Sequence, residues 1–310
     1  MSQNYLKKLQ GVSPILTTVA QGYAPNRFIA ETVFPVVSVE AEIVKFPTHG
    51  KAAFEEYETR RAIGADSNVI VLDGNGWETV TLEEHDLAAG VDYRAEKEAY
   101  FSQKAKAARR VKDGVLLKNE VIVAGLVQNA SSYASGHVKT LNGTSQWSDQ
   151  ANSNPLADVD AAKDKIAEAV GLRPNIMVIG AGVLKHLRYH PKLQAQLGAN
   201  DKKRITLDIL KDLFELEDII IGESRLTANG QFANVWGNHV SLQIRGANSA
   251  GQPADEGNPS FGYTFRRSGL PFIDTYEGVG GKVEYVRYTD IKKAVVTGGK
   301  CGYLLKDVVA

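Results

Sequence analysis

The stretch YRAEKEAYFSQKAKAARRVKDGVLLKNEVIVAGLVQN, residues 93–129, contains no proline and is dense in Ala, Lys, Arg and Glu. These are strong helix formers, and Ala95, Ala99, Ala105, Ala108, Val111, Val115 and Val121–Ile122 recur at near-helical spacing. A helix beyond about 25 residues without internal caps reads as a coiled coil or as a spine supporting other elements. The apolar positions keep no strict heptad, so a spine is expected, with Gly114 as the place for a kink. The rest of the chain must be arranged around that rod.

The residues before it cannot build a core of their own. Gly11, Pro14, Gly22, Pro25 and Pro35 break any long element within residues 1–37. AEIVKFP (41–47) alternates like a strand, VIVL (69–72) is a second β-rich run, and LDGNG (72–76) turns into WETVTLEE (77–84). Between the first two runs lies KAAFEEYETRRAIGADSN (51–68), which is charged and poor in apolar surface. Two or three strands with such a tip are too thin for a domain and predict an extended hairpin arm.

Past a polar linker (130–153) the chain becomes compact. Asn154-Pro155 reads as a helix start: Asn as cap, Pro at the first helical position, Asp158 near the positive end of the dipole. Leu156, Val159, Ile166 and Ala169–Val170 form one apolar face, which Gly171 and Pro174 stop. A strand is expected at 176–179, helices near 182–190 and 206–216, and a short strand at 219–221. FANVWGNHVSLQIR (232–245) suggests a hairpin around Gly237-Asn238, and 246–260 is a long polar loop. The remainder reads mostly as strand: FGYTFRR (261–267), KVEYVRY (282–288) and YLLKDVV (303–309). No repeat of fixed period occurs, and the mixture is α+β rather than a regular alternation of strand and helix.

Charge and composition narrow the function classes. Lys+Arg and Asp+Glu are both 36, so the basic excess of a dedicated nucleic-acid binder is missing. The distribution is less even: Lys7, Lys8 and Arg27 precede the first acid, Glu31, which suits a solvated arm or contact with a polyanion. Cys301 is the sole cysteine, which points to a reducing compartment. No run of about 18 apolar residues spans a membrane, and the N-terminus lacks the pattern of a signal peptide, so a soluble protein of cytosolic origin is expected.

No motif reaches a catalytic constellation. In RPNIMVIGAGVLKHLRYH (173–190), Gly180-Ala181-Gly182 supplies two positions of a dinucleotide fingerprint, but the third is Lys185. His186 and His190 stand four apart, a spacing that can bind zinc, yet Leu187 follows the first where zinc peptidase helices carry Glu. His190 is expected at the C-terminal end of its helix, against the negative end of the dipole. There is no G-x-S-x-G elbow, and Cys301 has no histidine near it in sequence. Neither an enzyme nor a cofactor is expected, with a nucleotide-dependent enzyme using Gly180–Gly182 as the remote alternative.

The order of parts carries a resemblance. N-terminal arm, hairpin arm, spine helix and a compact α+β region ending in strands together resemble the major capsid protein of tailed bacteriophages, with the Hong Kong 97-like fold. ETVFPVVSVEAEIVKFP (31–47) looks like the entry from arm into extended loop. SNPLADVDAAKDKIAEAVGLRPNIMVIGAGVLKHLRYHPKL (153–193) resembles the axial-domain helix, strand and following helix, and CGYLLKDVVA (301–310) a C-terminal strand. The resemblance implies an N-terminal arm at 1–37, an extended loop at 38–92, and a peripheral domain with the spine at 93–154. An axial domain at 155–280 and returning C-terminal strands at 281–310 complete it.

Function follows from the resemblance in the same way. Hexamers and pentamers would close an icosahedral shell around double-stranded DNA, in the virion, after assembly in the bacterial cytoplasm. Phe34, Phe46, Phe54 and Tyr57, with Arg60 and Arg61, are the expected subunit-interface residues, the aromatic ones buried only in the lattice. Lys7 and Lys8 are the expected DNA-facing residues. Only residues 1–37 precede the hairpin, so a separate scaffolding protein is expected, beside a portal and a possible decoration protein. An encapsulin-type compartment, which shares the fold but encloses cargo enzymes, is the nearer alternative.

Overall fold

The computed structural model describes residues 11–12, 15–16, 28–47, 59–61, 66–69, 76–197, 205–228, 230–246 and 259–310. Before the spine come β1 (Gly11–Val12), α1 (Ala30–Val33), β2 (Val36–Val39), β3 (Ile43–Pro47), β4 (Trp77–Thr81) and β5 (Glu83–Asp92). The spine is α2 (Tyr93–Glu98) and α3 (Gln103–Val127), followed by β6 (Val138–Thr140). Then come α4 (Pro155–Val170), β7 (Ile176–Gly180), α5 (Ala181–Leu187), α6 (Pro191–Gln194), α7 (Leu207–Phe214) and β8 (Asp218–Gly222). The chain ends with β9 (Arg225–Ala228), β10 (Gln231–Asn234), β11 (Val240–Gln243), β12 (Gly262–Arg267), β13 (Phe272–Glu277), β14 (Val283–Val296) and β15 (Gly302–Lys306).

The single helix expected over 93–129 is two, and the break is chemical. Ala99 leaves the helix with an extended ψ of 140°. The Ser102 hydroxyl then caps α3 by accepting from the Ala105 N–H at 3.2 Å. The Glu96 carboxylate accepts from Ser102 Oγ at 2.9 Å and from the Gln103 and Lys104 N–H groups at 2.7 and 3.0 Å. Orphan donors of the first turn are thus satisfied from outside the helix. Gly114 marks no break, because α3 runs unbroken through it. A Cβ there would lie 2.6 Å from Leu87 Cδ2, so the missing side chain lets β5 come close.

Two sheets carry the chain. The larger has the order β1-β13-β14-β12-β2, with β5 also paired to β14. That antiparallel pairing runs from Val283↔Asp92 to Lys292↔Glu83. α3 lies over it, burying Ala107, Ala108, Val111 and Val115 with Val91, Ile273, Val286 and Tyr288. Alanines at the contact keep the helix close to the sheet. Residues 262–277, grouped by sequence with the compact region, pair in this sheet.

The second sheet has the order β6-β15-β11-β7-β8. β7 is buried at every position, between antiparallel β11 and parallel β8, which explains its uninterrupted Ile-Met-Val-Ile run. The main core gathers there, with Val159 and Ile166 of α4, Val183 and Leu187 of α5, and Leu210 and Phe214 of α7. Pro155 and Gly171 bound α4 as expected, Gly171 with φ of 79°. The Asn154 side chain makes no cap; its carbonyl accepts from Asp158 N–H, while the Asp158 carboxylate takes Lys139 and the Trp147 indole.

The hairpin expected around Gly237-Asn238 is corrected. β11 pairs with β7 and β15, whereas β10 pairs with β9 across a turn at Gly230, whose φ is 77°. The segment 235–239 is a crossing that seats Trp236, so its glycine serves packing rather than a turn. β3 and β4 form an antiparallel pair of their own from Ile43↔Thr81 to Pro47↔Trp77, with Phe46 and Val80 packed on Tyr263 and Phe265 of the larger sheet. Of the run 69–72, Val69 belongs to no strand and the rest lies outside the described residues.

Ser102→Ala removes the cap that splits the spine. Denaturant unfolding of the unassembled chain is expected to show a loss of about 1 kcal/mol.

Candidate functional site

Glu120 lies on α3 and is fully buried, and its carboxylate is saturated. Oε2 accepts from the Ile29 and Ala30 N–H groups at 3.0 and 2.8 Å. Oε1 accepts from Ser224 Oγ at 3.1 Å and from the Trp236 indole at 2.6 Å. α1 opens on Ile29, which has no capping side chain, so a carboxylate reaching across from the spine takes that role. One side chain therefore fixes α1, the spine and the segments at 224 and 236 against one another. Charge-assisted bonds of this kind are stronger than neutral ones.

The other side of α1 is held by ions. Arg266 forks onto Asp290 at 3.0 and 3.1 Å and reaches Glu31 at 2.5 Å. Lys292 Nζ lies 2.8 Å from the same Asp290, which is fully buried. Burial first, and then the Asp290 carboxylate, push the Tyr288 hydroxyl well above the ordinary tyrosine range. A second buried carboxylate, Asp274, is forked by Arg287. Breaking such pairs leaves an uncompensated buried charge, which makes them positional constraints.

The glycines of the 173–190 stretch serve the Trp236 crossing. Gly180 pairs with Gly222 across β7 and β8. A Cβ on Gly222 would meet Trp236 Cγ at 2.1 Å, and one on Gly180 would meet the Gly237 carbonyl oxygen at 2.2 Å. A Cβ on Gly182 would sit 3.1 Å from Asn238 Oδ1. The small residues clear a recess for protein, and the indole it holds is the one that donates to Glu120.

His186 and His190 are placed apart in role. α5 ends at Leu187, so His190 is not at its C-terminal end; it precedes Pro191 at the start of α6. Proline's fixed φ suits a first helical position, which is why Pro191 opens a helix here. His190 is buried, with Nε2 3.0 Å from Ser153 Oγ, and burial lowers its pKa. Cys301 is buried too, and burial pushes its thiol up to about 11, far from a reactive thiolate. Among the described residues no group of three or more His, Cys, Asp or Glu is placed to hold a metal ion. No helix among them is long and apolar enough to cross a membrane.

The expected interface aromatics are corrected in part. Phe34 is fully buried in the single chain, edge-on to Phe261 at 5.9 Å, and Phe46 is buried and stacked on Phe265 at 5.5 Å. The body supplies their apolar surroundings, so no lattice is needed to cover them. Arg60 and Arg61 are exposed. Phe54, Tyr57, Lys7 and Lys8 lie outside the described residues. Other apolar side chains stand in solvent: Trp77 at 66% and Ile43 at 62% on the arm, Tyr100 at 102% in the spine break, and Phe232 at 79% on β10. Sequence reasoning passed over them because each sits in a segment that pattern alone would bury or hide. Trp77 at the start of a polar strand was the available signal.

Among the described residues the arrangement holds segments in place and presents apolar side chains. Comparison with known proteins agrees with a structural role. The family model for phage major capsid protein E matches residues 87–238. The chain is 38% identical to the major capsid protein of Burkholderia phage BcepMu, over 98% of both chains. It is 32% identical to the major capsid protein of Pseudomonas phage JBD67, covering 96% of this chain and 97% of that one. Among solved structures, a phage-related protein from Bordetella bronchiseptica RB50 superposes with a TM-score of 0.80 at 30% identity, covering 96% and 98% of the two chains.

Glu120→Gln keeps the shape of the side chain but replaces a charge that accepts four donors. Hydrogen exchange at the Ile29 and Ala30 amides is expected to accelerate at least tenfold in the unassembled chain. Gly180→Ala drives a methyl into the Gly237 carbonyl and is expected to lower stability by about 1–3 kcal/mol in denaturant unfolding.

Proposed function

The chain belongs to the family of phage major capsid proteins, with the Hong Kong 97-like fold, and on that premise we propose that it assembles into hexamers and pentamers closing an icosahedral shell around double-stranded DNA. The full-length likeness to the capsid protein of Burkholderia phage BcepMu carries this reading. The role requires no catalytic step. The chain resides in the virion capsid, which assembles in the host cytoplasm.

The parts take distinct places in the shell. Residues 1–37 are the N-terminal arm. The paired strands Ile43–Pro47 and Trp77–Thr81 are the stem of the extended loop (38–92), which lies over a neighbouring subunit. Phe46 and Val80 pack one side of this pair on the larger sheet, and exposed Ile43 and Trp77 on it favour cover by another copy. The six-stranded sheet with the spine (93–154), joined by β12 and β13, is the peripheral domain. The five-stranded sheet with α4, α5 and α7 is the axial domain, built from the part of 155–280 before β12 and completed by β6 and β15. Residues 281–310 return to both, through β14 in one sheet and β15 in the other. Arg60 and Arg61, exposed near the loop's tip, and Phe54 and Tyr57 with them, make the subunit contact, while Lys7 and Lys8 face the packaged DNA. A separate scaffolding protein and a portal complete the partners.

Negative-stain microscopy of the expressed full-length chain tests the reading. Uniform closed shells or capsomer rings are the expected result, and a persistent monomer or dimer overturns it. Particles recovered from producing cells are expected to hold DNA and a portal vertex. Particles filled with protein cargo favour an encapsulin-type compartment instead.

A further inference from the structure

The first half of α3 breaks two rules of helix electrostatics. Between Gln103 and Lys118 it carries Lys104, Lys106, Arg109, Arg110, Lys112 and Lys118 against Asp113 alone. No acidic residue occupies its first turn, where the positive end of the dipole disfavours cations. Lys106 and Arg110 stand one turn apart, so like charges meet where an opposite pair would stabilise. The Glu96 carboxylate answers the first N–H groups and Lys104 pairs with Glu284. Lys106, Arg110 and Lys118 form no ion pair with any described residue, and Lys106 lies over the Phe101 ring. At Lys106 and Arg110 a local rule is broken with no ion pair among the described residues to offset it, which marks a place for an external partner.

The geometry points to the outward face of α3, made by Lys106, Arg109 and Arg110, as a binding site for the phosphate backbone of nucleic acid. This rests on the capsid reading for its source of ligand. All three residues are exposed, while Ala107, Ala108, Val111 and Val115 anchor the helix to the sheet, so the face is rigidly presented. Lys106 and Arg110 stand roughly 6 Å apart along the axis, comparable with two phosphate steps on one DNA strand. Arginine forks match phosphate oxygens in pairs. Exposed Phe101 borders the face beneath Lys106, but no exposed apolar side chain lies among Lys106, Arg109 and Arg110 themselves to form the desolvated centre of a protein interface. Binding is therefore electrostatic and indifferent to sequence.

The test uses the full-length chain and its K106A/R109A/R110A variant with a mixed-sequence DNA duplex, measured by fluorescence anisotropy at several salt concentrations. Removing the three cations is expected to flatten the slope of log K against log salt by roughly 2.7. The R109K/R110K variant, which keeps the charges, is expected to retain the wild-type slope. An unchanged slope in the alanine variant, or no duplex binding by the wild type, overturns the site. A polyglutamate peptide that binds through these residues while the duplex does not also overturns it, in favour of an acidic protein. Microscopy of the same samples separates the two readings. An unchanged slope in chains that form shells sinks the phosphate site alone. A flattened slope in chains that form none sinks the capsid reading and leaves the site standing.

Discussion

The fold depends on one buried carboxylate. Glu120 sits on the spine, yet its four donors come from the N-terminal segment, from Ser224 and from Trp236. Removing it would strand buried donors in several places at once, each carrying a desolvation cost of about 1–3 kcal/mol. The acid is thus a junction, and α1 cannot be displaced without unmaking it. The Arg266–Asp290 fork and its reach to Glu31 close the same short helix from the other side.

That junction explains the division of labour between the sheets. The spine packs on β5 and β14, while Trp236 sits in the second sheet's recess between Gly180 and Gly222. The indole donates to the spine, whose Val123, Ala124 and Val127 pack in the same main core as Trp236, so the hydrogen bond reinforces a junction that apolar contact also holds. A stretch that looks at first like a nucleotide loop is the floor of this recess. Its glycines make room for a tryptophan, and a shell subunit needs such rigidity because its surfaces must meet identical copies.

Much of this was legible in sequence, and the rest was hidden for identifiable reasons. Pro155 and Gly171 bounded a helix because their backbone chemistry is local. The Ile176–Ile179 run was legible because burial on both faces leaves a continuous apolar signature, while the terminal strand, expected over 303–309, ends at Lys306. The break at Ala99–Ser102 was not, since Ala, Tyr and Phe fit a helix and only the Ser102 hydroxyl with Glu96 decides otherwise. The partners of Glu120 lie about 90 or more residues away in sequence, beyond any periodicity. The burial of Phe34 and Phe46 is hidden because their covering residues, Phe265 of β12 and Phe261 just before it, lie far along the chain.

Subunit surface and subunit core are thus distinct sets of residues, and an assembled particle separates them directly. A side-chain-resolution electron-microscopy map of the closed shell is the decisive measurement. The account predicts Trp77 and Ile43 covered by a neighbouring copy, with Glu120 still bonded to Ile29, Ala30, Ser224 and Trp236 of its own chain. A shell in which Trp77 and Ile43 remain in solvent, or in which Glu120 has released α1, would contradict it.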